Sequence, residues 1–281
     1  MNVHETLELN RRGWEAISAD YQKHTRISTD DVHYGPLAPG ERELGLLGDV
    51  AGKRIIEIGC GGGQNSIALT KWGAICVGVD PSSVQLDHAR RLACENDVEV
   101  QFVAGVAEDL SAFRDMSFDV ALSSYAFDYV TDLRRAYRET WRVLKPGGLF
   151  VFCLSHPWFQ AVGWYLIGDP DAPHVGDYAA WPDVEEWDWA YEDGIAVRMR
   201  GHLRTLAQIV NELIGTGFAL DRLVEQSVED VAEASPEELA RLPYVPKFDP
   251  SSREYQIMRK LPRTLIVRAH KSMPSGAERE G

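Results

Sequence analysis

Cysteine is scarce, with four in 281 residues, at positions 60, 76, 94 and 153, and no C-x-x-C pair among them. That speaks against a disulfide framework or a clustered zinc site, and it fits reduced thiols in a cytoplasmic protein. No metal is expected. No apolar run approaches the length of a membrane span. The first thirty residues are polar and charged, unlike a secretory leader, so no membrane partner is expected either. Positive charge is also short: 29 lysines and arginines stand against 43 acids, a formal net charge of −14. A phosphate-tracking surface needs a basic stripe, and without one nucleic acid is not an expected partner. The deficit is concentrated, since Asp169 to Asp193 holds nine acidic residues and no lysine or arginine.

What is present is glycine in one place. Arg54-Ile55-Ile56-Glu57-Ile58 is a strand-type run that enters a loop with glycine at 59, 61, 62 and 63. Helix-compatible residues follow from Gln64 to Lys71, then a second apolar strand, Ile75 to Val79, which ends at Asp80. Strand, glycine turn and helix is the geometry that lets a nucleotide-like ligand touch bare backbone. An acid at the tip of the second strand is placed to accept hydrogen bonds from a ribose. The bland alternative is a glycine-rich turn with no ligand. The dinucleotide fingerprint G-x-G-x-x-G would need glycine at position 64, which is Gln64. The pattern present is E-x-G-x-G-x-G, from Glu57 to Gly63.

The length allows one large domain with an insertion. Leu7, Trp14 and Tyr21 fall on one face of an amphipathic helix over 4–24, and a short helix is expected over 41–47. From Lys53 onward strands at 54–58, 75–79, 98–103, 118–124 and 149–155 alternate with helices at 64–72, 81–95, 107–114 and 131–144. That alternation predicts an α/β fold with a doubly wound, mostly parallel sheet. A helix at 204–214 and strands at 218–225 and 264–269 bring the strands to seven, the last one antiparallel. After Ser155 the rhythm breaks into an insertion rich in tryptophan, tyrosine and proline. The expected organisation is an N-terminal helical cover (1–44), a core domain (45–270) interrupted by a lid or interface (156–202), and a disordered tail (271–281). The stretch 226–263 reads as a long, proline-punctuated loop, partner-facing or mobile.

In this order the motifs resemble the class I S-adenosylmethionine-dependent methyltransferases that act on small molecules, a group including ubiquinone-type and natural-product enzymes. Glu57 to Gly63 is similar to their first motif, and Asp80 to their ribose-binding acid. Gly105-Val106-Ala107-Glu108-Asp109-Leu110 is similar to the adenine loop. Phe118 to Ser124 matches the fourth strand, and Leu144-Lys145-Pro146-Gly147-Gly148 the turn before the fifth. The resemblance implies S-adenosylmethionine as cofactor, held by Glu57, Gly59, Gly61, Gly63, Asp80, Ala107, Glu108 and Ser123, with Tyr21 folding over it. Two positions depart from the family pattern. Val106 stands where an acid often holds adenine, which makes Glu108 the candidate acceptor. Phe127-Asp128-Tyr129 stands where histidine is common.

Methyl transfer from a sulfonium is an in-line displacement, so the protein mainly aligns the reactants and excludes water. A base helps most when the acceptor is an alcohol. His156, after the fifth strand, is the leading candidate; the alternative is a histidine capping the turn before Pro157. Asp128 is the second candidate, and otherwise a helix N-cap or a solvent-facing acid. Tyr21 is equally read as plain core. Tyr125, Phe127, Trp158 and Phe159 are expected around the acceptor. His24, His33, His88 and His174 are read as surface residues. The aromatic insertion is either a lid over the acceptor or a contact with another subunit in a homo-oligomer. Its acidity suggests an amine-bearing acceptor, or else only a solvated surface. The expected activity is O- or N-methylation of a small molecule, as in secondary metabolism such as antibiotic biosynthesis. The competing readings are a nicotinamide-dependent oxidoreductase and a non-catalytic cofactor-binding subunit.

Overall fold

A computed structural model describes residues 3–168, 178–191 and 194–272. The chain enters as α1 (Val3–His24), then β1 (Thr25–Ile27) and α2 (Glu41–Leu44). The central unit is β2 (Arg54–Ile58), α3 (Gln64–Lys71), β3 (Ile75–Asp80), α4 (Ser83–Glu95), β4 (Gln101–Ala104), β5 (Phe118–Ser124), α5 (Leu133–Val143) and β6 (Leu144–Ser155). A π-helical turn (Phe159–Gly163), α6 (Trp164–Gly168), a 3-10 turn (Tyr178–Ala180) and a hairpin of β7 (Asp183–Trp189) and β8 (Val197–Leu203) follow. The last part is α7 (Leu206–Gly215), β9 (Phe218–Gln226), α8 (Pro236–Arg241), β10 (Tyr244–Pro246), α9 (Arg253–Met258) and β11 (Thr264–Lys271).

The seven-stranded sheet has the order β4-β3-β2-β5-β6-β11-β9. Strands β2 to β6 pair in parallel, and β11 runs antiparallel to both β6 and β9. The central strands are covered on both faces, which is why they read as near-continuous apolar runs. Ile56, Ile58, Phe150, Phe152 and Val267 pack into one layer of core, while Ile55, Leu122, Val151, Cys153 and Ile266 pack into the other. Ser82 caps α4 by accepting the N–H of Gln85, and Asp132 caps α5 by accepting that of Arg135. Thr205 and Gln208 close a reciprocal capping box on α7. After β2 the chain winds outward to β4, then returns to the other side of β2 as β5. The crevice between the carboxyl ends of β2 and β5 is therefore the switch point where open α/β sheets bind ligands.

Three expected elements differ. The third strand is β4, Gln101–Ala104, with residues 98–100 irregular. The helix expected at 107–114 is a series of turns. Side chains take its backbone groups instead: Glu139 accepts the N–H of Leu110, and Arg142 donates to the carbonyls of Leu110 and Phe113. The stretch 226–263 is not a bare loop. It contains α8, β10 and α9, packs Val228, Val231, Leu242 and Tyr255 around Leu37, and pairs β10 with β1. The expected tail starts late, because Lys271 still belongs to β11 and donates to the carbonyls of Trp141 and Leu144; residues 273–281, and His174, lie outside the described residues.

Candidate active site

The loop after β2 is held from both sides. Gly59 donates its N–H to the Val79 carbonyl at 2.7 Å. Its φ of 74° is left-handed, and a Cβ there would lie 2.1 Å from the Ala126 Cβ, so only glycine fits. Gly61, with a φ of 49°, has the opposite surroundings: a Cβ would meet nothing within 4 Å, and the residue lines a cavity. Its N–H donates to Asp80 Oδ2 at 3.0 Å, and Asp80 Oδ1 accepts the N–H of Ser82 at 2.9 Å. Burial pushes the Asp80 carboxyl up to about 6 against those two bonds. Glu57 reaches across to α3, whose N-cap, Gly63, has no side chain to offer. It accepts the Ser66 N–H at 2.9 Å and the Ser66 hydroxyl at 2.5 Å. Burial pushes this carboxyl up to about 7.

The cavity measures about 960 Å³ and runs from this loop to the insertion. Glu57, Gly59, Gly61, Asp80, Ala107 and Glu108 line the loop end. Glu108 is almost fully buried, and its Oε1 accepts the N–H of Thr131 at 2.9 Å, so part of its capacity holds the entry to α5. The far end is aromatic. Trp14 packs edge-on against Tyr21, Tyr129 and Trp189, with ring centres 5.2–5.8 Å apart, and Trp187 lies 6.1 Å from Tyr129. Tyr21 donates to the Tyr244 hydroxyl at 3.0 Å. Leu7, Trp14 and Tyr21, the stripe read from the sequence of α1, all face this cavity.

Tyr125 and Asp128, from the segment after β5, also line the cavity. Tyr125 has a φ of 58°, a strained value for a tyrosine, and its hydroxyl is hydrogen-bonded to that of Thr264. Asp128 Oδ2 accepts the N–H of Ser155 at 3.1 Å, and Arg263 donates to Ser155 Oγ at 3.2 Å. Burial raises the Asp128 carboxyl above its ordinary range, against the pull of Arg263 and Arg204. The N-cap of α5 is Asp132, not Asp128.

Other expected site residues lie elsewhere. His156 is buried away from the cavity. Its Nδ1 accepts the Trp158 N–H at 3.1 Å, which leaves the proton on Nε2, 2.9 Å from the Glu225 carboxylate. Burial pushes this imidazole down, against the pull of Glu225. Ser123 is fully buried and donates to the Ile58 carbonyl at 2.7 Å, tying β5 to β2. Phe127 stacks in the core on Tyr137 and Phe152. Phe159 is buried under the Arg263 guanidinium, and Trp158 is 48% exposed on the outside. Gly63 is walled off by Ala89 and Phe102, each 2.8 Å from where its Cβ would stand.

Tyr244, His202 and Arg263 carry no signal in the sequence, and His33, expected at the surface, is drawn inward by its backbone contacts; all four line the cavity. Burial pushes both His33 and His202 down to about 4, so both are neutral near pH 7. Neither carries a motif; a Ser124–Asn65 hydrogen-bond pair that clamps the His33 backbone exists only in the folded chain.

Residues 56–152 match the family model described as a methyltransferase domain. The chain is 39% identical over 136 residues to the uncharacterized methyltransferase YcgJ of Bacillus subtilis, covering 47% of this chain and 52% of that one. It is 34% identical over 117 residues to a ubiquinone biosynthesis O-methyltransferase of Chelativorans sp., covering 42% and 46%. The chain thus spans about half the length of the curated relatives it matches. Among solved structures, an S-adenosylmethionine-dependent methyltransferase from Mesorhizobium loti is 27% identical, with a TM-score of 0.57 over 81% of this chain and 94% of that one.

Proposed function

Given that the chain belongs to the class I S-adenosylmethionine-dependent methyltransferases of the small-molecule group, we propose that it methylates an oxygen or nitrogen of a small molecule. The observation that carries this reading is one continuous cavity with a glycine loop and ribose-ready acid at one end and an aromatic chamber at the other. At about 960 Å³ it lies at the top of the range of roughly 300–1,000 Å³ for small-molecule sites, enough for a nucleoside and an acceptor together.

Bound S-adenosylmethionine would supply an electrophilic methyl group on a positive sulfur, with a neutral thioether as the leaving group. The chain's residues fit that group. Gly61 leaves open the space a Cβ would fill, and Asp80 is positioned to accept from a ribose diol. Ala107 and Glu108 stand where the adenine would lie. Tyr125, Asp128 and Tyr129 line the same cavity, and Asp128 is the group assigned to take the proton an alcohol or phenol acceptor must lose. Trp14, Trp187 and Trp189 keep water from the acceptor.

The wall around the acceptor comes largely from outside the matched domain, which ends at residue 152. The acceptor is therefore this chain's own, and a natural-product scaffold is the class we favour. Four free cysteines, three of them buried, support a cytoplasmic setting.

Calorimetric titration with S-adenosylmethionine tests the reading. Gly61→Val and Asp80→Ala should each weaken binding at least tenfold, about 1.4 kcal/mol, with unchanged circular dichroism. Wild-type affinity in both folded variants would remove the cofactor assignment.

A further inference from the structure

Strand β7 supplies much of the wall that closes the aromatic chamber. In β7 the side chains alternate, as a strand requires. Glu186 and Asp188 are the more exposed set, and both are neutralised across the hairpin: Glu186 by Arg200 at 2.5 Å and Asp188 by Arg198 at 2.7 Å. Glu185, Trp187 and Trp189 form the other set, partly buried, and all three line the cavity. Opposite Glu185 on β8 is Gly201, and the Trp187 ring lies against it, 2.9 Å from where a Cβ would stand. The flat ring thus fills the side-chain space that Gly201 leaves vacant.

Glu185 is the odd acid of this hairpin. It has no hydrogen-bond or ion-pair partner among the described residues, although two arginines on the neighbouring strand serve its outward neighbours. Burial, followed by nearby Asp183, raises its carboxyl above the ordinary range. A half-buried carboxylate without a partner is costly to hold unless something else neutralises it. The chamber beside it holds the faces and edges of Trp14, Tyr21, Tyr129, Trp187 and Trp189. Aromatic faces and a carboxylate are the two groups that together attract an organic ammonium.

The rest of the cavity agrees in sign. Six carboxyl side chains, besides the Asp188 that Arg198 pairs, line it against two cationic ones, Arg11 and Arg263. Both cations are already engaged. Arg11 is paired with Glu8 and Glu15 on its own helix. Arg263 is stacked over Phe159 and Trp164 and bonded to Ser155. His33 and His202, both pushed down to about 4, add no charge at neutral pH.

We propose that Glu185, with Trp187, Trp189 and the aromatic rings they meet, seats a cationic ammonium group of the methyl acceptor. The inference rests on the methyl-transfer reading for calling the occupant an acceptor, but the seat itself is a binding site testable without turnover.

The probes are phenyltrimethylammonium and its uncharged carbon isostere, tert-butylbenzene. Binding of each to the full chain, saturated with S-adenosylhomocysteine, is followed by ligand-observed NMR at pH 7.5. Wild type should bind the cation at least tenfold more tightly than the isostere. Glu185→Gln should reduce that preference to less than threefold, while Glu186→Gln, which removes the same charge from the outward face, should leave it intact. Trp189→Leu should weaken the cation more than the isostere. Equal binding of the two probes by wild type would overturn the proposal, as would an equal effect of the two glutamate substitutions. S-adenosylmethionine affinity, measured separately, tells the two readings apart. A wild-type chain that prefers the cation but fails to bind S-adenosylmethionine would sink the methyl-transfer reading alone. Normal cofactor binding without cation preference would sink the seat alone.

Discussion

At the scale of single residues, the outcome at the end of β6 turns on where two ring nitrogens point. His156 follows a strand tip, the place where open sheets bind ligands, and its sequence position is that of a base. Its hydrogen bonds say otherwise: one nitrogen accepts from the Trp158 backbone and the other faces Glu225. Asp128 keeps one carboxylate oxygen on Ser155 and lines the cavity. With an alcohol or phenol acceptor, Asp128→Asn should lower kcat by a factor of about 10²–10⁴ and flatten the acidic limb of the pH–rate profile. His156→Ala should cost stability, about 1–3 kcal/mol for a histidine holding two bonds, and leave kcat within a few-fold. Rates measured across pH on both variants decide this; a deep kcat loss in His156→Ala with Asp128→Asn unaffected would reverse the assignment.

At the scale of elements, the parts legible in the sequence were those with a repeating physical signal. The alternation of β2, α3, β3 and α4 could be read because both-face burial makes a strand apolar and one-face burial makes a helix periodic. The stripe of Leu7, Trp14 and Tyr21 was equally plain, though not the cavity that it faces. What could not be read was decided by partners distant in sequence. The turns at 107–114 are held by Glu139 and Arg142 of α5, and Phe127 is drawn into the core by Phe150 and Phe152. The face of the hairpin was hidden for the same reason: α1 packs on β8 through Gly13, where a Cβ would stand 2.4 Å from the sulfur of Met199. Gly13→Val should therefore push the hairpin away from α1, at a cost of about 1–3 kcal/mol. It should raise the acceptor KM and speed amide exchange in β7 and β8. Trp158→Ala, altering an exposed ring of the same insertion, should do neither. An unchanged KM in folded Gly13→Val would mean that the hairpin does not shape the acceptor site.

At the scale of the whole molecule, the binding cleft leaves a mark on stability. Glu57 is buried and Asp80 half-buried at the sheet's carboxyl edge, and loss of solvent pushes them up to about 7 and about 6. In the unfolded chain both return to the ordinary carboxylate range, near 4. Between those values these two groups hold more protons in the folded state than in the unfolded one, so their contribution to the free energy of unfolding falls as pH rises; His33 and His202, pushed down to about 4, hold fewer and offset that fall. The stabilising effect of the protonated forms is complete below about pH 4 and gone once pH has passed the folded values. The net charge of −14 acts in the same direction through self-repulsion, but salt weakens that part. Denaturant unfolding from pH 4.5 to 7 at roughly 0.5 M salt, where exposed charges are screened within about 4–5 Å, isolates the Glu57 part when wild type is compared with Glu57→Gln. Glu57→Gln keeps an oxygen for the Ser66 N–H and cannot ionise. Relative to wild type, its stability should rise on the order of 3 kcal/mol across that range, the weight of a carboxyl pushed up to about 7. A slope that Glu57→Gln leaves untouched would mean that the carboxyl is already ionised and that α3 is capped by a full charge.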